Sequence, residues 1–364
     1  MPYVSYCQPL GVMPRSGSAM NEQRTTMKRI KLTILMSLIS LISFGQDYEF
    51  YFKQAVDEIT DMLEDRKPVD FKRAVFLTEN AYYKGQLDYS NFCNQLTKTS
   101  VKLNQMIVNK GLQGYKTAGN WAIFSYMTEK IPENNFQPMQ YDFENFMGDS
   151  DYESFMVSTL LTTMKGNCHS LPYLYKILAD EVNVEAFVAT APMHVYIRHK
   201  DEQGKWWNLE LTSGTFSRTS FIIESFNVSD AGMESGLYMK PLDGKELLVL
   251  CLSDLMDYYE KKTGKYYGEI VQKGCNIGIK YCKASLLQLW KFDELKYRID
   301  KQMKLKGFTN YNQIFDDPKL VALFQEVKST EKYIKEMGYS SLTPQQYKEK
   351  VHEIETGKNS QPQN

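Results

Sequence analysis

A helical apolar pattern that gives way to two alternating runs, joined by a glycine-containing turn, limits what this chain can fold into. From His169 to Asp180, Leu171, Leu174 and Leu178 recur at helix spacing. Pro172 falls in the first turn, where a missing N–H costs nothing. Asn183 follows, and asparagine tolerates the left-handed conformation that stops helices. In Met193 to His199, Met193, Val195 and Ile197 share one face, and His194, Tyr196 and Arg198 share the other. In Trp206 to Thr212, Trp207, Leu209 and Leu211 form the apolar face, with Trp206, Asn208 and Glu210 opposite. The polar stretch between them holds Gly204, which can take positive φ in a hairpin turn. Val184 to Thr190 is a third strand candidate. Helix followed by short antiparallel strands predicts an α+β fold: a helix packed on a small antiparallel sheet.

The same segments carry the most legible chemistry. Cys168 stands at the start of the helix, with Gly166 giving the backbone room to turn. Unpaired N–H groups and the helix dipole at that end favour a thiolate, and the thiolate is the reactive form of cysteine. A three-residue loop closed by Gly204 would set His194 facing Thr212, with Glu210 as its diagonal neighbour and Asn208 opposite Arg198. A thiol, a histidine on one strand and an acid on the next supply nucleophile, general base and orienter. Cys168, His194 and Glu210 are therefore the expected catalytic residues, with Asn208 as a substitute for the third. His169 points about 100° around the helix from Cys168. It is a flanking residue and, with Trp206, a candidate for substrate contact. His199 has the wrong strand parity to join His194, and His352 lies in a polar C-terminal stretch. No Cys-x-x-Cys or His-x-x-x-His pair is present, so neither metal nor cofactor is expected.

The run from Lys165 to Asp180 resembles the cysteine motif of the transglutaminase-like superfamily. Pro192 to Arg198 is similar to its histidine strand, and Gly204 to Glu210 to its third motif, a Gly-x-Trp run ending in an acid. The family usually has Asp where this chain has Glu210. The resemblance implies a papain/transglutaminase-like core, covering about 50 residues closely. It also implies a cysteine-dependent hydrolase or acyl transferase, acting on amide bonds through Cys168, His194 and Glu210. The superfamily includes inactive members, so the alternative is a catalytically inactive binding module with a helical interaction surface.

The chain has 364 residues, and its formal net charge of −1 gives no general attraction to nucleic acid. Residues 1–26 read as an upstream extension. Residues 27–45 read as a signal peptide: Lys28, Arg29 and Lys31 precede an apolar stretch from Leu32 to Phe44 and then Gly45. The expected location is exported, periplasmic or secreted in a bacterium, with no stable membrane span. A peptide or cell-envelope polymer is the expected substrate. Residues 46–130 read as an N-terminal helical region and 131–244 as the core. Residues 245–356 read as a C-terminal helical region able to meet a protein partner, and 357–364 as a disordered tail. Tyr267, Ile270, Gly274, Ile277 and Ile279 resemble one tetratricopeptide repeat. Past the signal peptide remain Cys93, Cys168, Cys251, Cys275 and Cys282. That number is odd, which leaves at least one free thiol, and no disulfide framework is expected.

Overall fold

The computed structural model describes residues 48–356; the expected upstream extension, signal peptide and tail lie outside them. The fold is α+β and about 60% helical. Four helices come first: α1 (48–63), α2 (Phe71–Tyr82), α3 (Tyr89–Asn109) and α4 (Ala118–Thr128). Asp70 and Asp88 cap α2 and α3 by accepting from backbone N–H groups of the first turn. The stretch leading to the cysteine contains β1 (Gln140–Tyr141), α5 (Val157–Thr163) and β2 (Lys165–Gly166), and β1 pairs in parallel with β2. Next come α6 (Ser170–Glu181), β3 (Phe187–Ala191), β4 (His194–Lys200), β5 (Trp206–Glu210) and β6 (Thr215–Ser217). These four strands form an antiparallel sheet in sequence order.

The hairpin register follows the expected one. Arg198 pairs with Asn208 and Lys200 with Trp206. Asp201 and Lys205 close the loop, with Gly204 at φ 84°. The Asp201 carboxylate accepts from Gln203 N and Lys205 N, an Asx-type turn that pins the loop. Asn183 takes φ 54° at the end of α6. One detail differs: Met193 is not in β4. It occupies a two-residue turn after Pro192, at φ 57°. Proline fits the first central position of such a turn, and the second requires positive φ.

Two short helices follow, α7 (Thr219–Phe226) and α8 (Asp230–Glu234). Then come α9 (Gly244–Thr263), α10 (Glu269–Tyr281), α11 (Leu287–Leu305) and α12 (Pro318–Glu336), each packed on the next. Helix α9 also packs on α2. The three segments expected from sequence thus share one apolar core, which runs from Phe52 through Leu174, Ile197 and Leu252 to Val351. A smaller cluster that includes Leu295, Ile299, Leu320 and Val327 joins α11 to α12. The chain then returns to the sheet side. Ser235 Oγ donates to Met337 O (2.8 Å), Ser229 Oγ to Gly338 O (2.7 Å) and Tyr238 OH to Ser340 O (2.7 Å). Helix α13 (Pro344–Glu355) ends the described chain. Its start is a reciprocal cap: Thr343 Oγ1 accepts from Gln346 N, and Gln346 Oε1 accepts from Thr343 N.

Candidate active site

Cys168 sits in the turn that opens α6, and its geometry is built by its neighbours. Asn167 Oδ1 accepts from His169 N (2.9 Å) and Ser170 N (3.3 Å), so the asparagine side chain closes the helix end. Ser170 Oγ accepts from Asn167 N (3.1 Å) and donates to Ser154 O (2.7 Å). A Cβ on Gly166 would lie 2.3 Å from that oxygen, which is why the position before the turn carries no side chain. Cys168 is buried and lines a cleft of about 380 Å³.

His194 follows the strained Met193 turn, and Glu210 ends β5. Extending the observed register places Glu210 opposite Tyr196 and diagonal to His194. His194 Nε2 and Glu210 Oε2 lie 2.5 Å apart, with both side chains only 2% exposed. The second Glu210 oxygen accepts from Thr212 N (3.0 Å). Phe226 of α7 stacks on the imidazole, with centroids 4.0 Å apart and planes 6° apart, and so holds the ring in its plane. The other nitrogen, Nδ1, is buried without a standard hydrogen-bond partner. It is the nitrogen left to the thiol.

Charges in this cluster are mutually set. Burial raises the Cys168 pKa, but hydrogen bonding and charge from His194, then a hydrogen bond from Tyr347, outweigh it and bring the thiol below its usual range. Burial lowers the His194 pKa, but the Glu210 charge and the Cys168 hydrogen bond outweigh it, and the imidazole is held well above its usual range. Glu210 is held low: His194 overcomes the penalty of burial. All three directions favour a thiolate beside an imidazolium, the charge state of an activated cysteine.

Tyr347 of α13 was not legible as a site residue. Its hydroxyl lies 2.8 Å from Cys168 Sγ, and its ring packs against Phe146. Burial, then the nearby Cys168 charge, holds this phenol protonated, so it donates to the sulfur. Tyr141 of β1 is buried, its hydroxyl without a standard hydrogen-bond partner, and burial, then the Cys168 charge, raises its pKa. No periodicity or spacing in the sequence links Tyr347 to Cys168, 179 positions away. We expect Tyr347→Phe to remove a charge-assisted hydrogen bond and move the pH midpoint of Cys168 alkylation upward by about one unit. An unchanged midpoint would mean that the phenol contributes only packing.

The other candidates are placed apart from the triad. His169 is buried, with Nδ1 2.9 Å from Phe155 O and Nε2 3.1 Å from Asp254 Oδ1. Burial lowers its pKa, but Asp254 prevails and pushes it up to about 9. It lines the cleft, but as half of a second pair. Asn208 Nδ2 donates to Ser217 O and Thr219 Oγ1, securing β6 rather than His194. Trp206 stands at the far end of β5, stacked edge-on to Phe187 and beneath the Arg198 and Lys200 cations. It does not line the cleft. His199 packs edge-on to Phe216, and His352 is exposed beside Glu355. Cys93, Cys168, Cys251, Cys275 and Cys282 are all free thiols.

Comparison with protein-family models, with curated proteins and with solved structures gives no match. The geometry and chemistry of the site carry the functional reading.

Proposed function

We propose that this protein is a cysteine-dependent hydrolase or acyl transferase with a papain/transglutaminase-like core, acting on amide bonds of peptides or cell-envelope polymers. The observation that supports it best is His194, held by Glu210 at 2.5 Å through Nε2 with Nδ1 left to the thiol. In this reading Cys168 Sγ attacks the amide carbonyl, and a C–S bond forms. The negative charge moves to the oxygen, where the Cys168 backbone N–H is a candidate donor. His194 passes its proton to the leaving amine as the C–N bond breaks, giving an acyl-thioester. Water, deprotonated by His194, or a second amine then releases the acyl group. Hydrolysis is the simpler outcome, because water needs no binding site of its own. Export to the periplasm or medium is part of the proposal. Among the described residues, no helix is long and apolar enough to cross a membrane.

A second reading draws on Tyr347. A thiol that is buried and hydrogen-bonded by a phenol also suits an inactive binding module, whose C-terminal helices are its working surface. Alkylation separates the two. Burial pushes the Cys251, Cys275 and Cys282 thiols up, so near neutral pH they hold little thiolate. An iodoacetamide probe, read site by site by mass spectrometry, should label Cys168 at least about tenfold faster than these three. Equal, slow labelling of all five cysteines would sink the activated-thiol reading. A phenotype that survives Cys168→Ala but not disruption of the helices would favour the binding module.

A further inference from the structure

The cleft at Cys168 does not end at the triad. Its far wall is helical and mainly apolar, with Val249, Leu250, Leu286, Leu289 and Trp290. Asp257, Leu289 and Trp290 also line a second groove of about 560 Å³, so the two cavities are neighbours that share these three residues. Asp257 and Glu260 lie one turn apart on α9 and face this groove. Asp293, Lys296, Tyr297 and Asp300 recur at i, i+3, i+4 and i+7 on α11, forming the opposite wall.

The charge here is one-sided. The whole chain is nearly balanced, with 43 Lys and Arg against 44 Asp and Glu. The cleft is lined by Glu246, Asp254 and Asp257 set against the His169 and His194 imidazoliums, so the imbalance lies in the groove. Lys240 compensates Glu246, and His169 faces Asp254, but Asp257 makes no ion pair among the described residues; burial, then the Asp254 and Glu260 charges, push its carboxyl up to about 8, so it holds a proton that an arriving cation would displace. In the groove, Asp257, Glu260, Asp293 and Asp300 stand against Lys296 alone, which reaches Asp293 at 3.6 Å. These acids are spread along two helices. Among the described residues no set of three or more His, Cys, Asp or Glu side chains converges as metal ligands. Tyr266, Tyr297 and Trp290 add aromatic faces of the kind that hold ammonium and guanidinium groups. Independently, Ser285 Oγ is buried in the cleft wall without a partner, and such a hydroxyl is costly unless a ligand's polar atom meets it.

We propose that the cleft and groove together bind an extended peptide segment, with apolar residues against the helical wall near Cys168 and Lys or Arg side chains between α9 and α11. The inference rests on the reading of Cys168 as the reacting centre for its orientation, but the binding it predicts needs no chemistry. It makes Asp257 and Glu260 specificity determinants.

The test uses the full chain carrying Cys168→Ala and fluorescence anisotropy. Two labelled peptides of about ten residues serve as probes, identical except that three lysines in one are glutamates in the other. At low salt the lysine peptide should bind at least about tenfold more tightly, since several exposed charge pairs each contribute a few-fold. The gap should narrow with added NaCl. It should fall to about twofold or less in Asp257→Asn/Glu260→Gln/Asp300→Asn, with folding checked by circular dichroism and Asp257→Asn alone as the milder variant. A control with Glu224→Gln, Glu336→Gln and Glu355→Gln, away from the groove, should keep the preference. Equal binding, no binding, or a preference that survives the groove variant overturns the proposal. So does displacement by Mg²⁺ that NaCl of equal ionic strength cannot match, which would mark a metal site. Lysine-peptide binding beside an inert Cys168 would refute the enzyme reading alone. An activated Cys168 with no charge preference would refute only this inference.

Discussion

Glu210→Ala is expected to lower the alkylation rate of Cys168 at neutral pH by about 100-fold, the low end of what a positioned general base supplies. The wild-type carboxylate does two things. It holds the imidazole by Nε2 at 2.5 Å, and it stabilises the positive charge that keeps the thiol ionised. Alanine removes both and leaves a ring held by stacking against Phe226 and Tyr196. The thiolate then requires the pH range of an ordinary or buried cysteine, about 8.5 or higher. A pH profile of alkylation should therefore move upward rather than merely shrink. Glu210→Gln keeps the shape of the contact but not the charge, so its shift should be smaller. Stability should fall as well. Removing one partner of a buried pair costs about 3 kcal/mol, at the low end because the imidazole can shed its proton. The sign of the pH dependence follows from the lowered Glu210 pKa. Its contribution is present above the unfolded carboxylate value of about 4.3 and is lost as pH falls through the lower folded value. The variant should lack that acid-side loss. Asn208→Ala is the internal control, because Asn208 bonds Ser217 and Thr219 instead. A slow Asn208→Ala beside a fast Glu210→Ala would assign the orienting role to Asn208.

The placement of Cys168, His194 and Glu210 was legible because each sits in or beside an element with a short-range signature. Helix spacing after Cys168, period-2 alternation around His194 and Glu210, and a Gly204 turn together define the register that puts His194 and Glu210 on one face. The same reasoning placed Asn183 at the end of α6. What escaped it were contacts between segments far apart in sequence. Phe226 stacks on His194, Tyr347 caps Cys168, and Asp254 pairs with His169. No periodicity encodes these, since each depends on how α7, α9 and α13 dock. Helix α12 lies inside the stretch read as helical, and Asp317 as cap with Pro318 in the first turn marks its start. Met193 was drawn into β4 by its apolar character, although Pro192 before it favours a turn.

Gly338→Ala should destabilise the fold and at the same time make Cys168 more reactive toward small alkylating agents. Gly338 takes φ 71°, a conformation that costs a residue with a Cβ about 1 kcal/mol. A Cβ there would lie 2.2 Å from Gly232 N and 2.5 Å from Ala231 C. Both are backbone atoms of α8, and neither can rotate away. The return segment would have to lift from α8, losing the bonds from Ser229 to Gly338 O and from Ser235 to Met337 O. The expected cost is about 3 kcal/mol, or roughly 5–10 °C in melting temperature. Tyr347 follows nine positions later in the same returning chain, so lifting the segment draws its hydroxyl from Cys168 Sγ. Access then improves while His194 and Glu210 keep their geometry, so above the thiol's pH midpoint, where losing the Tyr347 hydrogen bond no longer limits the thiolate, labelling should quicken about tenfold. Gly307→Ala is the matched control. Gly307 has nearly the same φ, 69°, but open space where the Cβ would go. It should carry the backbone cost alone and leave Cys168 labelling unchanged. If the two variants melt and label alike, the close approach of Gly338 to α8 does not hold Tyr347 over the thiol.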